Sequence, residues 1–346
     1  MRSAYITGLA GDTLQQGERR LLAVTRPAGI ILFARNCVSP DQIRQLVADA
    51  KTAIGSDDVL VLIDQEGGRV QRLRPPHWRA LPPAAAYAAL YTMDPPAATT
   101  AATLAARLTA QDLRALGINT NCTPVLDVPV PGAHSIIGDR AFGSNWPQIA
   151  ALGRAVAAGH RAGGVVPVIK HIPGHGRANV DSHLELPIVT TARADLEATC
   201  FAAFHALRDM PAAMTAHVVF SAIDRAHPAS TSAIVTEDVI RGKIGYEGFL
   251  MSDDLGMKAL SGSFVDRAAA VIRAGSDVAL HCGGELAEME AVASGVPALQ
   301  GAALRRFEQC LAVTRRVEPF DQAAAESALA RVLAIAAASQ GHHPAA

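Results

Sequence analysis

Short apolar runs alternate along the chain with longer stretches whose apolar positions recur every three to four residues. The runs span residues 4–9, 29–33, 59–63, 118–122, 165–169, 213–219, 248–251 and 277–281. Most lack period-two alternation, the mark of strands covered on both faces and hence of a parallel sheet. Helical spacing fills the intervals. Ser39-Pro40-Asp41-Gln42 reads as a capping box with proline at the first helical position, followed by Ile43, Leu46, Val47 and Ala50 on one face. Further helices are predicted over residues 97–116, ended by Gly117, and over 147–161, 191–208, 263–274, 286–296 and 321–339. Segments 82–96 and 134–145 read as long loops. Eight strands with intervening helices predict an α/β fold, a single (β/α)8 TIM-type barrel over residues 1–346. A doubly wound open sheet is the alternative.

Ionisable residues gather just past five of these runs. They are Asp64, Glu66, Arg69 and Arg72; then Asp127; then Lys170 and His171; then His217; then Asp253 and Asp254. In such a barrel the strand C-terminal ends build the active site. Five independent strands delivering charge to one rim point to an enzyme. Duller roles exist for single members. Asp64 and Asp127 are candidates to cap loops through backbone N–H groups, and Arg69 to pair with Glu66 on the surface. Lys170 resists such a role, because a buried ammonium needs a polar or anionic partner. Asp253 and Asp254 are adjacent, so strand alternation turns only one of them to the centre.

The segment Lys170-His171-Ile172-Pro173-Gly174-His175-Gly176 is followed by Asp181-Ser182-His183. Its glycines and proline demand special backbone geometry, and its polar groups suggest loop-borne chemistry. Pro173-Gly174 breaks any helix that would bring His171 and His175 together as metal ligands. A metal-dependent hydrolase using His171, His175, Asp181 and His183 stays open as a loop-built alternative. Gly174-x-Gly176 lacks the third glycine of a dinucleotide fingerprint, and neither a phosphate loop nor a G-x-S-x-G elbow occurs.

Composition narrows the partners. Half of the 346 residues are hydrophobic, and 31 basic side chains balance 32 acidic ones. Without a basic block, nucleic acid is not expected to bind. The five cysteines are widely spaced with no C-x-x-C, which suggests buried thiols in a reducing compartment. The N-terminal apolar run is too short for a signal peptide, and no stretch approaches the ~18 apolar residues of a membrane helix. A cytoplasmic enzyme without membrane attachment is the expectation.

In order along the chain, the motifs resemble glycoside hydrolase family 3, and within it the compact bacterial β-N-acetylglucosaminidases of peptidoglycan recycling. The residues that carry the likeness are Gly29–Asn36 as GIILFARN, Ile63–Arg72 as IDQEGGRVQR, and Ile137-Gly138-Asp139-Arg140-Ala141-Phe142. The Lys170–Gly176 and Asp181–His183 segments, Met214-Thr215-Ala216-His217 and Ser252–Met257 complete the set. Ile172 and Gly256 depart slightly, standing where relatives commonly carry other small or apolar residues. The resemblance implies a retaining exo-glycosidase with Asp253 as nucleophile and Asp181 with His183 as acid/base dyad. It assigns Asp64, Arg72, Arg140, Lys170 and His171 to holding a terminal N-acetylglucosamine. Larger relatives append a second domain, for which this chain is too short.

The chemistry is coherent on those assignments. Retention needs one carboxylate to trap an oxocarbenium-like centre and a second group to protonate the leaving oxygen. An imidazole ordinarily titrates near neutral pH and suits the second task; Glu185 is the fallback acid. Gly67-Gly68 is read as letting the backbone approach the ligand. No cofactor or metal is required, and the partner is a small sugar substrate carrying N-acetylglucosamine. Two other readings stand beside hydrolysis. Phosphorolysis by the same dyad is one, because a neutral histidine does not repel phosphate. A catalytically silent sugar-binding barrel is the other.

Overall fold

A computed structural model describes residues 1–340. Its centre is a closed barrel of eight parallel strands: β1 (Ser3–Gly8), β2 (Pro27–Leu32), β3 (Leu60–Ile63), β4 (Thr120–Asn121), β5 (Val166–Ile172), β6 (Ala212–Thr215), β7 (Phe249–Asp254) and β8 (Val278–His281). Each apolar run supplies one strand, and β1 closes the ring by pairing with both β2 and β8. The missing alternation has a plain cause. On β3, Leu60 and Leu62 pack inside the barrel with Ile6, Val168 and Met251. Val61 and Ile63 face outward onto Ile43, Leu46 and Leu113 of the helical layer. Both faces are apolar because both are covered.

The helical layer departs from the periodicity reading in instructive places. α1 (Gln16–Thr25) buries only Glu18 and Leu22, so no apolar stripe announces it. α2 (Pro40–Ile54) begins as expected, with Ser39 accepting from the Gln42 N–H at 3.4 Å. The second half of the capping box is absent: the Gln42 side chain accepts from the Val38 N–H at 3.0 Å instead. Segment 82–96 is not a loop. It holds α3 (Ala84–Met93), whose Tyr87 and Leu90 are buried, and the start of α4 (Pro95–Arg114). Prolines at both ends suggested a loop, yet they are tolerated in a first helical turn, and Asp94 caps α4 by accepting from the Ala97 N–H at 3.0 Å.

α5 (Trp146–Ala162) lies where periodicity puts it. The stretch 191–208 breaks at Thr199 into α6 (Arg193–Ala198) and α7 (Cys200–Ala206). α8 (Phe264–Arg273) and α9 (Leu286–Ser294) follow β7 and β8. α10 (Gly301–Thr314), absent from the periodicity reading, crosses beneath the strand N-termini. Its Phe307 ring lies 6.0 Å from that of Phe249, its Cys310 Sγ is 3.4 Å from the Pro211 carbonyl oxygen, and Leu311 joins the barrel-interior cluster. α10 thereby covers the N-terminal end of the packed barrel. α11 (Gln322–Gln340) packs on α4. Cys122, Cys200 and Cys310 are buried, Cys37 and Cys282 partly so, and none is bonded to another. Among the described residues no helix is long and apolar enough to cross a membrane.

Candidate active site

Irregular strand ends aim the functional side chains. β5 and β6 pair Lys170 with Met214 and then Ile172 with Thr215, two steps on β5 against one on β6. β7 and β8 pair Met251 with Val278 and then Asp254 with Leu280, three steps against two. Such bulges bend a strand and re-aim its side chains. They fall at Lys170–His171 and beside Asp253, both at the open rim.

The floor of the open face is a network of charge. Lys170 Nζ lies 2.8 Å from Asp64 Oδ1 and 2.7 Å from Glu66 Oε1. Arg72 Nη2 takes the other oxygen of Asp64 at 3.0 Å. Arg140 forks onto both oxygens of Glu66 at 2.8 and 2.9 Å. Burial alone would raise the carboxyl pKa values, but Lys170 with Arg72 holds Asp64 well below the ordinary range, and Lys170 with Arg140 does the same for Glu66. Burial disfavours the ammonium of Lys170, yet Asp64 and Glu66 outweigh it and push the pKa up. Arg72 lies 4.9 Å above the Phe33 ring, and its Nε is buried with no hydrogen-bond partner among the described residues.

Three readings from the sequence change here. Asp64 caps no loop, since its oxygens go to Lys170 and Arg72. Arg69 does not pair with Glu66 but with Asp139 at 2.7 Å and with the carbonyls of Ser135 and Ile136. Gly67 and Gly68, at φ +107° and +56°, turn a short hairpin and approach Pro82 and Pro83: a Cβ on Gly67 would meet the Pro82 oxygen at 2.3 Å. The resemblance gave Glu66 no role, although it joins Lys170 to Arg140 in this network. The signal was a charge count, because Lys170, Arg72 and Arg140 exceed what one aspartate neutralises.

Asp127 is fully buried and organises the next layer. Its Oδ1 accepts from the backbone N–H of His175 at 2.6 Å and of His171 at 3.2 Å, so it does cap this loop, while Oδ2 lies 2.7 Å from His171 Nδ1. Burial opposes its charge, but His171 and the His175 N–H pull its pKa down. His175 Nε2 reaches Ser182 Oγ at 3.0 Å. Asp181 Oδ1 accepts from the His183 N–H at 2.9 Å and lies 2.8 Å from its Nδ1. A carboxylate only accepts, so Nδ1 carries the hydrogen and Nε2 points onward. Burial would raise the Asp181 pKa, but the backbone and ring of His183 hold it below the usual range. Glu185 is exposed on the same turn, its N–H donating to the Asp181 carbonyl at 3.1 Å. The four residues of the metal reading do not converge, and no three His, Cys, Asp or Glu side chains gather as a cation site among the described residues.

Adjacent Asp253 and Asp254 part company as strand alternation requires. Asp254 Oδ1 accepts from the N–H groups of Gly256 and Cys282 at 3.0 and 2.8 Å, tying the segment behind the strand. Asp253 accepts from the Asp254 N–H at 2.8 Å. Burial works against its charge, yet His171, His217 and that N–H lower its pKa, with a further contribution from His183. His217, fully buried, lies 3.0 Å from the Asp254 carbonyl through Nε2 and 2.6 Å from Ser230 Oγ through Nδ1. A carbonyl only accepts, so Nε2 carries the hydrogen.

Comparison with known proteins identifies the family. The glycosyl hydrolase family 3 N-terminal domain matches residues 6–315. Beta-hexosaminidases of Alkalilimnicola ehrlichii and Methylococcus capsulatus are similar: the first is 43% identical over 279 residues, covering 80% of this chain and 79% of the relative, and the second 39% identical over 296 residues, covering 84% and 85%. NagZ from Neisseria gonorrhoeae, solved in complex with N-trifluoroacetyl-D-glucosamine, superposes with a TM-score of 0.85 at 31% identity, over 97% of this chain and 98% of that one. A family 3 beta-N-acetylglucosaminidase from Paenibacillus superposes with a TM-score of 0.82 at 30% identity, over 95% of this chain and 66% of that longer one. On the extent of the family match and of these identities, the chain belongs to glycoside hydrolase family 3, as a β-N-acetylhexosaminidase.

Proposed function

We propose that the protein is a retaining exo-β-N-acetylglucosaminidase that releases terminal N-acetylglucosamine from peptidoglycan-derived, anhydro-muropeptide fragments in the cytoplasm. The observation that carries this reading is a pair of groups suited to the two tasks. Asp253 stands on a barrel-strand end, and His183 stands on the loop after β5 with Asp181 on its Nδ1, which leaves Nε2 for the leaving oxygen. In the first step a carboxylate oxygen of Asp253 bonds to the anomeric carbon. The bond to the leaving oxygen breaks, and that oxygen takes a proton from His183 Nε2. In the second step neutral His183 accepts a proton from water as the water oxygen displaces Asp253, with retention at the anomeric carbon. Asp181 accepts from Nδ1–H and so fixes the ring with Nε2 available to the leaving oxygen.

Asp64, Arg72, Arg140, Lys170 and His171 bind the sugar in this reading. The unpartnered Arg72 Nε supports that role, as a buried donor awaiting an acceptor. The charged floor over the packed barrel interior supports exo action, because a site closed below admits a chain end rather than a chain middle. The amino-sugar ligand of the gonococcal relative supports N-acetylglucosamine as the sugar.

A fluorinated N-acetylglucosaminyl trapping reagent followed by peptide mass mapping tests the assignment. The label is expected on Asp253, and Asp253→Ala abolishes turnover; a label on Asp254 or elsewhere overturns the nucleophile. Turnover of a disaccharide in phosphate-free buffer is expected at full rate, whereas a phosphate requirement would make the enzyme a phosphorylase.

A further inference from the structure

The tripeptide Asp181-Ser182-His183 is buried only at its centre. His183 exposes 62% of its side chain and Asp181 is partly open, but Ser182 is 2% exposed. Two contacts hold that serine. Its Oγ lies 3.0 Å from His175 Nε2, and its carbonyl accepts from the Ala259 N–H at 3.3 Å. Both partners lead to the site. The His175 backbone donates to Asp127, the carboxylate that also holds His171. Ala259 lies in segment 255–262, which runs on from the β7 end that carries Asp253. Arg267 of α8 ties both ends of that segment, donating to the Leu255 carbonyl at 2.7 Å and the Gly262 carbonyl at 3.0 Å. One buried serine therefore joins the backbone that follows Asp253 to the histidines on the sugar side.

We propose that Ser182 is a positioning residue for His183, its two contacts setting where the imidazole stands over the leaving oxygen. The proposal rests on the acid/base reading of His183 given above. Asp181 cannot do this work alone. It fixes the tilt of the ring, but it sits on the same exposed turn and travels with it. The serine is the member of the trio tied to the rigid parts of the barrel. Burial lowers the His175 pKa to about 4, so its ring stays neutral near neutral pH and keeps its bond to the serine.

The test compares kcat/KM, which reports formation of the glycosyl-enzyme, on two substrates. An activated aryl N-acetyl-β-glucosaminide expels its leaving group without proton help, and a disaccharide does not. Because misplacement by about 1 Å costs about a hundredfold, Ser182→Ala is expected to lower kcat/KM on the disaccharide ~10- to 100-fold and on the aryl glycoside less than ~3-fold. Ser182→Cys, which keeps a weak donor of similar size, recovers part of the loss. Equal losses on both substrates, or no loss on the disaccharide, overturn the proposal. If thermal unfolding shows Ser182→Ala to be poorly folded, His175→Phe breaks the same bond from the other side and must give the same split; equal losses there are equally fatal. His183→Gly tests the underlying reading on the same two substrates. If it shows no split, that reading falls and this proposal with it; if it splits and Ser182→Ala does not, only this proposal falls.

Discussion

Glu66 lies where three strands' worth of charge meets, 7% exposed, between Arg140 and Lys170. Its carboxylate presents two edges to two cations, so it decides how many of their N–H groups remain for a sugar. Lys170 spends two of three donors on Asp64 and Glu66. Arg140 spends its Nε and Nη2 on Glu66. Removing the charge leaves Arg140 without its carboxylate and Lys170 with only Asp64, which Arg72 already shares. Glu66→Ala is expected to cost about 3–5 kcal/mol of stability, read from denaturant unfolding. Glu66→Gln, which keeps one acceptor, is expected to raise KM for N-acetylglucosaminides more than it lowers kcat; a fall in kcat alone would place Glu66 in the chemistry instead. At this scale the sequence disclosed residue types at strand ends but not their pairing. Arg69 and Arg140 both follow glycine-rich stretches, and nothing local says which of them turns inward to Glu66.

Strands were legible as elements because a doubly covered strand must be apolar throughout. Helices were legible where a stripe faced the barrel, as in α2, and illegible where burial was sparse, as in α1. Bulges carry no signature at all, since an extra residue in one strand is defined by its partner. The loop after β5 depends on glycine at one point that can be tested. A Cβ on Gly176 would meet the Val128 carbonyl oxygen at 2.3 Å and its carbon at 2.4 Å, backbone atoms that cannot rotate away. Gly176→Ala is expected to destabilise by about 1–3 kcal/mol. It should also lower activity by shifting the loop off Asp127. Gly11→Ala, with nothing within 4 Å of the new methyl, should stay within ~0.5 kcal/mol of the parent. Similar denaturant midpoints for the two variants would refute the argument.

Taken whole, the molecule buries histidines as well as carboxylates, and both set its response to acid. Burial lowers the pKa of His160 and His175 from 6.5 to about 4, and lowers that of His217. Between those values the unfolded chain binds more protons than the folded one, so stability falls as pH drops below about 6.5. The depressed carboxylates Asp64, Glu66 and Asp127 contribute stability that is complete above the ordinary carboxylate range and lost as pH falls through their folded values. Denaturant midpoints are therefore expected to hold between pH 7 and 8, decline from about 6.5, and decline more steeply below about 4.5. The upper decline is on the order of 3 kcal/mol for each of His160 and His175. It should shrink in His160→Gln; an unchanged profile in that variant would assign the decline elsewhere. The barrel as a whole was readable from the eight runs, but its floor was not, because α10 packs only Phe307, Cys310 and Leu311 fully and reads as an ordinary surface helix.

Side chains fill the barrel beneath the charged network, so the site is a cul-de-sac with one doorway for all traffic. In the proposed reaction the aglycone is nearest the entrance, so it has to depart before water reaches a glycosyl group held on Asp253. The liberated monosaccharide, lying deepest, leaves last. On the proposed function its seat is the one the next substrate must occupy, so free N-acetylglucosamine is expected to compete with substrate.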